Sequence, residues 1–114
     1  MKITVLKSKI HRATVTEADL NYEGSISIDL DLMESAGIRE FEKVLIANLN
    51  NGKRYETYVI KADKGSQKIG VNGAGALYSK VGDKIIIMSF AEIVPDDDLI
   101  PKIVLLNDSN EVIK

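Results

Sequence analysis

Apolar residues recur at every second position over several short stretches of the chain, and a period of two predicts strands. Ile3 and Val5 begin one, and Ile10-His11-Arg12-Ala13-Thr14-Val15-Thr16 continues it with β-branched side chains. Thr16-Glu17-Ala18-Asp19 reads as entry into a turn, Tyr22 to Ser25 as a tight polar connection, and Ile26-Ser27-Ile28-Asp29 as a return of the alternation. Asp31 to Gly37 breaks the pattern. Asp31 suits an N-cap, Glu34 follows three residues on, and Gly37 suits a C-terminal stop, so a brief helix is predicted. Lys43 to Asn48 and Arg54 to Ala62 read as strands joined through Asn51-Gly52, the pair expected of a type I′ turn with positive φ at both central positions. On the second of these strands Arg54, Glu56, Tyr58 and Ile60 share one face, and Tyr55, Thr57 and Val59 the other. Asp63 to Ser66 reads as a turn, Lys68 to Asn72 as a short strand, and Gly73 to Ala76 as the start of a helical turn toward Tyr78. Lys84 to Phe90 is the most apolar strand and is expected to be central. Pro95 to Asp98 forms a solvated loop, Ile103 to Leu106 a last strand, and the polar residues beyond it a partly disordered tail. Many short strands with only scraps of helix predict a mainly β protein, a small barrel or sandwich.

Composition narrows the function classes. A chain of 114 residues is most simply one domain, with a small core that oligomerisation would help to complete. Lys and Arg total 15 against 17 Asp and Glu, a balance that favours neither nucleic acid nor an anionic membrane as partner. The absence of cysteine removes disulfides and thiolate chemistry, and one histidine makes a catalytic zinc site unpromising, so no metal is expected. The N-terminus is too short in apolar residues for a signal peptide and no run reaches membrane length, which makes the cytoplasm the expected location. Gly70 to Gly75 lacks dinucleotide spacing, and Gly24-Ser25-Ile26 is not a nucleophile elbow. A Ser25–His11 hydrolase dyad stays formally open without local support.

The remaining polar residues have a chemical logic. A serine hydroxyl can attack the carbonyl before it and move the acyl group from nitrogen to oxygen. Glycine at the preceding position leaves that carbonyl open and tolerates unusual backbone angles. Loss of the acyl oxygen from the ester then gives dehydroalanine, which water converts to a pyruvoyl group with release of ammonia. The oxyanion at Gly24 needs a donor, and the Thr57 hydroxyl could supply one. A pyruvoyl group joins a substrate amine as a Schiff base and takes up electrons as CO2 leaves, the part that pyridoxal phosphate plays elsewhere. A tyrosine hydroxyl suits the returning proton, Arg54 offers a planar fork for a carboxylate, and Lys9 a second charge.

Taken together, Lys9-Ile10-His11-Arg12, Ala18 to Ser25 with its Tyr22-Glu23-Gly24-Ser25 end, Asn51-Gly52-Lys53-Arg54, Thr57-Tyr58, Val71-Asn72-Gly73-Ala74 and Val81-Gly82-Asp83 resemble bacterial pyruvoyl-dependent aspartate 1-decarboxylase. The resemblance covers most of the chain. It implies a small double-psi β-barrel with short helices, a homotetramer with active sites between subunits, and self-cleavage of the single domain 1–114 into a β chain (1–24) and an α chain (25–114). It implies conversion of L-aspartate to β-alanine and CO2, toward pantothenate and coenzyme A, with a pyruvoyl group made from Ser25, and with neither metal nor pyridoxal phosphate. By the same resemblance Tyr58 is the proton donor and Thr57 assists processing. Lys9 and Arg54 bind the substrate carboxylate, with Thr57, Asn72, Gly73 and Ala74 lining the pocket, and His11 and Tyr22 lie near it. An accessory maturation factor is left open. Position 75 is Gly where the family often has Ala, a departure expected to loosen the turn after Asn72.

Each residue alone also has a plainer reading. Gly24-Ser25 and Asn72-Gly73 are ordinary turn pairs, Arg54 a solvated strand end, Tyr58 a packing residue, and Lys9 and His11 exposed strand residues, His11 being equally suited to a structural role. Strict alternation points Thr57 away from Arg54 and Tyr58, so either the strand is bulged there or these residues serve different subunits. The alternative function is a non-catalytic small β-barrel that binds a small anion or a protein partner.

Overall fold

A computed structural model describes all residues from Met1 to Lys114. The alternation is realised as eight strands: β1 (Ile3–Thr14), β2 (Glu17–Asp19), β3 (Ser25–Asp29), β4 (Lys43–Asn48), β5 (Arg54–Ala62), β6 (Ile69–Asn72), β7 (Lys84–Ile93) and β8 (Lys102–Leu105). They form one sheet in the order β2-β6-β3-β5-β4-β7-β1-β8. β1 and β2 are separated only by Val15 and Thr16, yet β2 begins that order and β1 is next to last in it, so the sheet curls into a small β-barrel. Backbone bonds from Val15 N to Asp83 O (2.9 Å), Gly82 N to Val15 O (2.8 Å) and Thr16 N to Ile69 O (2.8 Å) close the seam. Parallel pairs (β1–β8, β2–β6, β3–β5) mix with antiparallel ones.

One face of each strand fills the interior. Ile10, Ile87 and Ile46 lie side by side across β1, β7 and β4 and are fully buried. Each contributes about 1.5–3 kcal/mol by leaving water. Ile26 and Ile28 of β3 join the same core. The helix α1 (Leu30–Ala36) lays Leu32, Met33 and Ala36 over one opening. No helix of the chain is long and apolar enough to cross a membrane.

β4 and β5 match the predicted spans, and the apolar strand β7 lies inside the order between β4 and β1. Four local readings need correction. Glu17 to Asp19 is a strand, because parallel pairing with β6 supplies partners that the exposed tripeptide does not announce. The N-cap of α1 is Asp29, whose side chain accepts from Asp31 N, while Glu34 pairs with Lys64 instead of closing a capping box. The β4–β5 hairpin has a four-residue loop closed by Asn48 N to Lys53 O (2.8 Å), so only Gly52 (φ +76°) is left-handed and the turn is not type I′. The C-terminal tail is ordered. Buried Asn110 (φ +61°) accepts from Thr14 N and donates to the carbonyls of Thr14 and Gln67, pinning the tail across the barrel seam.

Candidate active site

β6 lies between β2 and β3, and both neighbours end against its last residue: Asp19 and Ser25 each pair with Asn72. The loop 20–24 that joins β2 to β3 must therefore pass over the end of β6, where the chain turns at Asn72-Gly73. The crossing is tight. A Cβ on Gly73 (φ +71°) would lie 2.7 Å from Gly24 Cα, 2.9 Å from Gly24 N and 3.1 Å from Tyr22 O. Only glycine fits there, for reasons of both space and backbone angle. Gly24 is exposed, with nothing within 4 Å of where its own Cβ would stand.

Ser25 is the first residue of β3 and only 3% exposed. Its Oγ accepts a hydrogen bond from Asn72 Nδ2 at 3.0 Å and is 3.4 Å from the Glu23 carbonyl. Asn72 precedes a 3-10 turn (Gly73–Leu77) but makes no capping bond with its side chain, which reaches across to β3. Its amide also donates to Ser27 Oγ at 3.0 Å. Ala74 follows, exposed at the start of the turn.

β5 runs parallel to β3, with Ile26 opposite Val59. Continued backward, this register sets Ser25 level with Tyr58 and Gly24 level with Thr57. The β4–β5 pairing is uninterrupted from Lys43–Tyr58 to Ala47–Arg54, so no bulge turns Thr57 toward Tyr58. Thr57 and Tyr58 thus stand on opposite faces of β5, one beside each side of the Gly24–Ser25 peptide. With Lys43 and Glu56 they line a surface cavity of about 310 Å³.

The other cationic residues are elsewhere. Arg54 precedes Tyr58 by four residues on β5, roughly 13 Å along a strand. Lys9 and His11 lie on the outer face of β1, four places from β3 in the strand order. Lys9, Met88, Leu45 and Glu56 are successive partners across the sheet, about 14 Å from end to end at normal strand spacing. Within one subunit, then, Gly24, Ser25, Asn72 and Gly73 come together, Thr57 and Tyr58 stand at their level on the neighbouring strand by extension of the β3–β5 register, and Lys9, His11 and Arg54 lie farther off. Tyr22 is on the crossing loop, more than half exposed. His11 Nδ1 is buried without a partner. Burial, Lys9 and Arg12 lower the His11 pKa, which favours the neutral ring.

Two features of this region escaped the sequence reading. Ser27 was not singled out, although a position two residues from Ser25 on a strand shares its face. Tyr55 also takes part: its OH is 2.7 Å from Ser79 Oγ, and burial raises its pKa. A Cβ on Gly75 would meet Val71 Cγ1 at 2.9 Å and Tyr55 Cε2 at 3.0 Å. Gly75 therefore makes room for the Tyr55 ring. No group of three or more His, Asp or Glu side chains is arranged to hold a metal ion.

The profile of the family described as aspartate decarboxylase matches residues 1–113. An aspartate 1-decarboxylase from Caldicellulosiruptor saccharolyticus is 57% identical, over 100% of this chain and 91% of its own. The enzyme of the same name from Clostridium acetobutylicum is 54% identical over 98% and 90%. That from Maricaulis maris is 50% identical over 99% and 95%. The match runs the length of the chain and includes the strand ends gathered around Ser25: this chain belongs to the aspartate decarboxylase family.

Proposed function

We propose that the chain cuts itself between Gly24 and Ser25 and that the product decarboxylates L-aspartate to β-alanine. The observation that carries this reading is the seat of Ser25. It is a buried serine at the start of a strand, its hydroxyl held by Asn72 Nδ2 at 3.0 Å, next to an exposed glycine. Family membership supplies the reaction class.

The Ser25 Oγ attacks the Gly24 carbonyl carbon, and the peptide C–N bond breaks to leave an ester and a free amine on residue 25. Thr57, level with Gly24, donates to the oxyanion formed on the way. Removal of the residue 25 α-proton expels Gly24 as a carboxylate that keeps the former Oγ. The dehydroalanine left behind takes up one water and releases one ammonia, which makes residue 25 a pyruvoyl group. The site fits such a group: residue 25 is buried, bordered by the Asn72 donor and within reach of the Tyr58 phenol by register. When formed, the group supplies an electrophilic carbonyl that engages the substrate amine and accepts the electron pair released with CO2.

The remaining tasks fall to side chains. Tyr58 returns a proton to the α-carbon. Arg54 grips the spared side-chain carboxylate with its fork, since the departing carboxylate is better left without a tight ion pair. Lys9 adds a second charge, while Asn72 and the Gly73-Ala74 backbone line the pocket. Arg54 and Lys9 are too far from Ser25 in the same subunit to do this there. A neighbouring copy supplies them, as in a homotetramer with sites between subunits. Exposed Phe41, Phe90 and Ile103 on the barrel surface suit burial against such neighbours.

Intact mass after prolonged warming tests the reading. Two chains, 1–24 and a pyruvoyl-bearing 25–114, with CO2 released from aspartate, are expected. One uncut chain of 12.5 kDa and no CO2 would refute it. Ser25→Ala serves as the control that folds and never cuts.

A further inference from the structure

Ser25 and Ser27 are two residues apart on β3, so their side chains point to the same face. Both are buried, at 3% and 6% exposure. Between them lies a single donor group. The Asn72 carboxamide nitrogen is 3.0 Å from Ser25 Oγ and 3.0 Å from Ser27 Oγ. An amide NH2 carries two hydrogens in one plane, and here each has an acceptor. With both engaged, the carboxamide cannot rotate about its last torsion without losing a bond. Gly70, the pairing partner of Ser27 on β6, helps to make this seat. A Cβ there would lie 3.4 Å from Ser27 Cβ and 3.7 Å from its Oγ, in ordinary contact with the serine.

The two acceptors differ in permanence. Cleavage carries the Ser25 oxygen away as part of the Gly24 carboxylate, whereas Ser27 Oγ stays. We infer that Ser27 is a positioning residue: its hydroxyl holds the Asn72 carboxamide so that the second N–H stays aimed at residue 25, before the chain is cut and after. The kinetic consequence rests on the self-cleavage reading above; the orientation of the amide does not.

Two measurements separate these levels. The first uses Ser25→Ala, in which no cut occurs, and follows the Asn72 side-chain amide by 15N-resolved NMR. One of its two hydrogens should be protected from solvent exchange, and adding Ser27→Ala should abolish that protection. Unchanged protection would overturn the inference. The second measures the rate of cutting by intact mass. The pair Ser27→Thr and Ser27→Val is the informative one, because the two side chains share a shape and differ in the hydroxyl. Thr should cut within about twofold of the parent. Val should cut about tenfold more slowly, on the scale of loss expected when a group is held slightly out of place, with a matching thermal midpoint. In the matured chains the loss should fall on kcat with KM little changed. Equal cutting by Thr and Val would refute the role. A parent chain that never cuts would instead remove the self-cleavage reading, with the amide experiment still deciding on Ser27.

Discussion

The two ends of β3 are held in opposite ways. At its C-terminal end Asp29, 2% exposed, turns its carboxylate onto three backbone N–H groups: Asp31 at 2.9 Å, Gly65 at 2.9 Å and Gln67 at 2.8 Å. One side chain thereby caps α1 and fastens the β5–β6 connection. At the N-terminal end Ser25 has one good hydrogen bond, from Asn72, and a long one to Glu23 O at 3.4 Å. Its neighbour Gly24 is exposed and crosses close to Gly73, where only the absence of a side chain leaves it room. Anchoring at the far end lets the near end be placed accurately without being tied down. The attack on the Gly24 carbonyl proposed above would draw on that freedom.

Asp29→Ala should produce the largest change and break the anchored end. Three backbone N–H groups lose a charged acceptor, at about 1.5–3 kcal/mol for each such bond with partial recovery by water. A loss of about 4 kcal/mol is expected in urea unfolding of the uncuttable Ser25→Ala chain. A loss below about 1 kcal/mol would mean that the anchor is redundant. Gly73→Ala should break the other end. The left-handed angle costs roughly 1–2 kcal/mol, and the new methyl would displace Gly24. Cutting should slow by about a hundredfold, as for a misplaced reacting group, read by intact mass over time. An unaltered rate would show that the crossing loop is not seated by Gly73.

β4 and β5 were legible residue for residue, because their alternation is strong and local. β2 was not, since three exposed residues become a strand only through β6, about fifty positions away in the chain. The active-site pieces were legible as a set of short segments resembling a family, but their distribution was not. Alternation alone left open whether β5 was bulged; the unbroken β4–β5 ladder removes that option. The Asn72–Ser27 bond joins residues 45 positions apart and depends on β6 returning beside β3. Asn110 illustrates the same limit. A polar tail has nothing local to fix it, and its order comes from Thr14 and Gln67.

Two smaller effects sharpen the contrast between anchored and reactive ends. Gly75→Ala would set a methyl 3.0 Å from the Tyr55 ring and 2.9 Å from Val71. Overpacking of this kind costs about 1–3 kcal/mol. Thermal unfolding should show that loss, with cutting slowed only about two- to fivefold because the turn yields before Gly73 moves. An effect on cutting as large as that of Gly73→Ala would tie the whole turn to the scissile peptide. The mildest test concerns pH and a contact remote from both ends. Burial would raise the Glu42 pKa, but the Lys7 side chain at 2.8 Å and Arg39 N at 3.1 Å outweigh it, and the net shift is downward. A carboxylate with a lowered folded pKa stabilises the fold above its unfolded pKa, near 4.3, and that contribution is lost as pH falls through the folded value. Unfolding midpoints followed downward from pH 6 should therefore fall less steeply in Glu42→Gln than in the parent. Identical slopes would leave this contact with no part in acid unfolding.

The strand order has a last consequence. β1 pairs with β7 and β8, and β2 with β6; neither pairs with any residue before Ser25. Every ladder that the first 24 residues make is therefore with the remainder of the chain, and Ile10, Ala13 and Val15 sit inside its core. Scission at residue 24 severs a tether and no ladder. In its strand pairing the molecule is a pair of interlaced segments on one polypeptide, and the proposed loss of the Gly24–Ser25 bond would leave every one of those ladders in place.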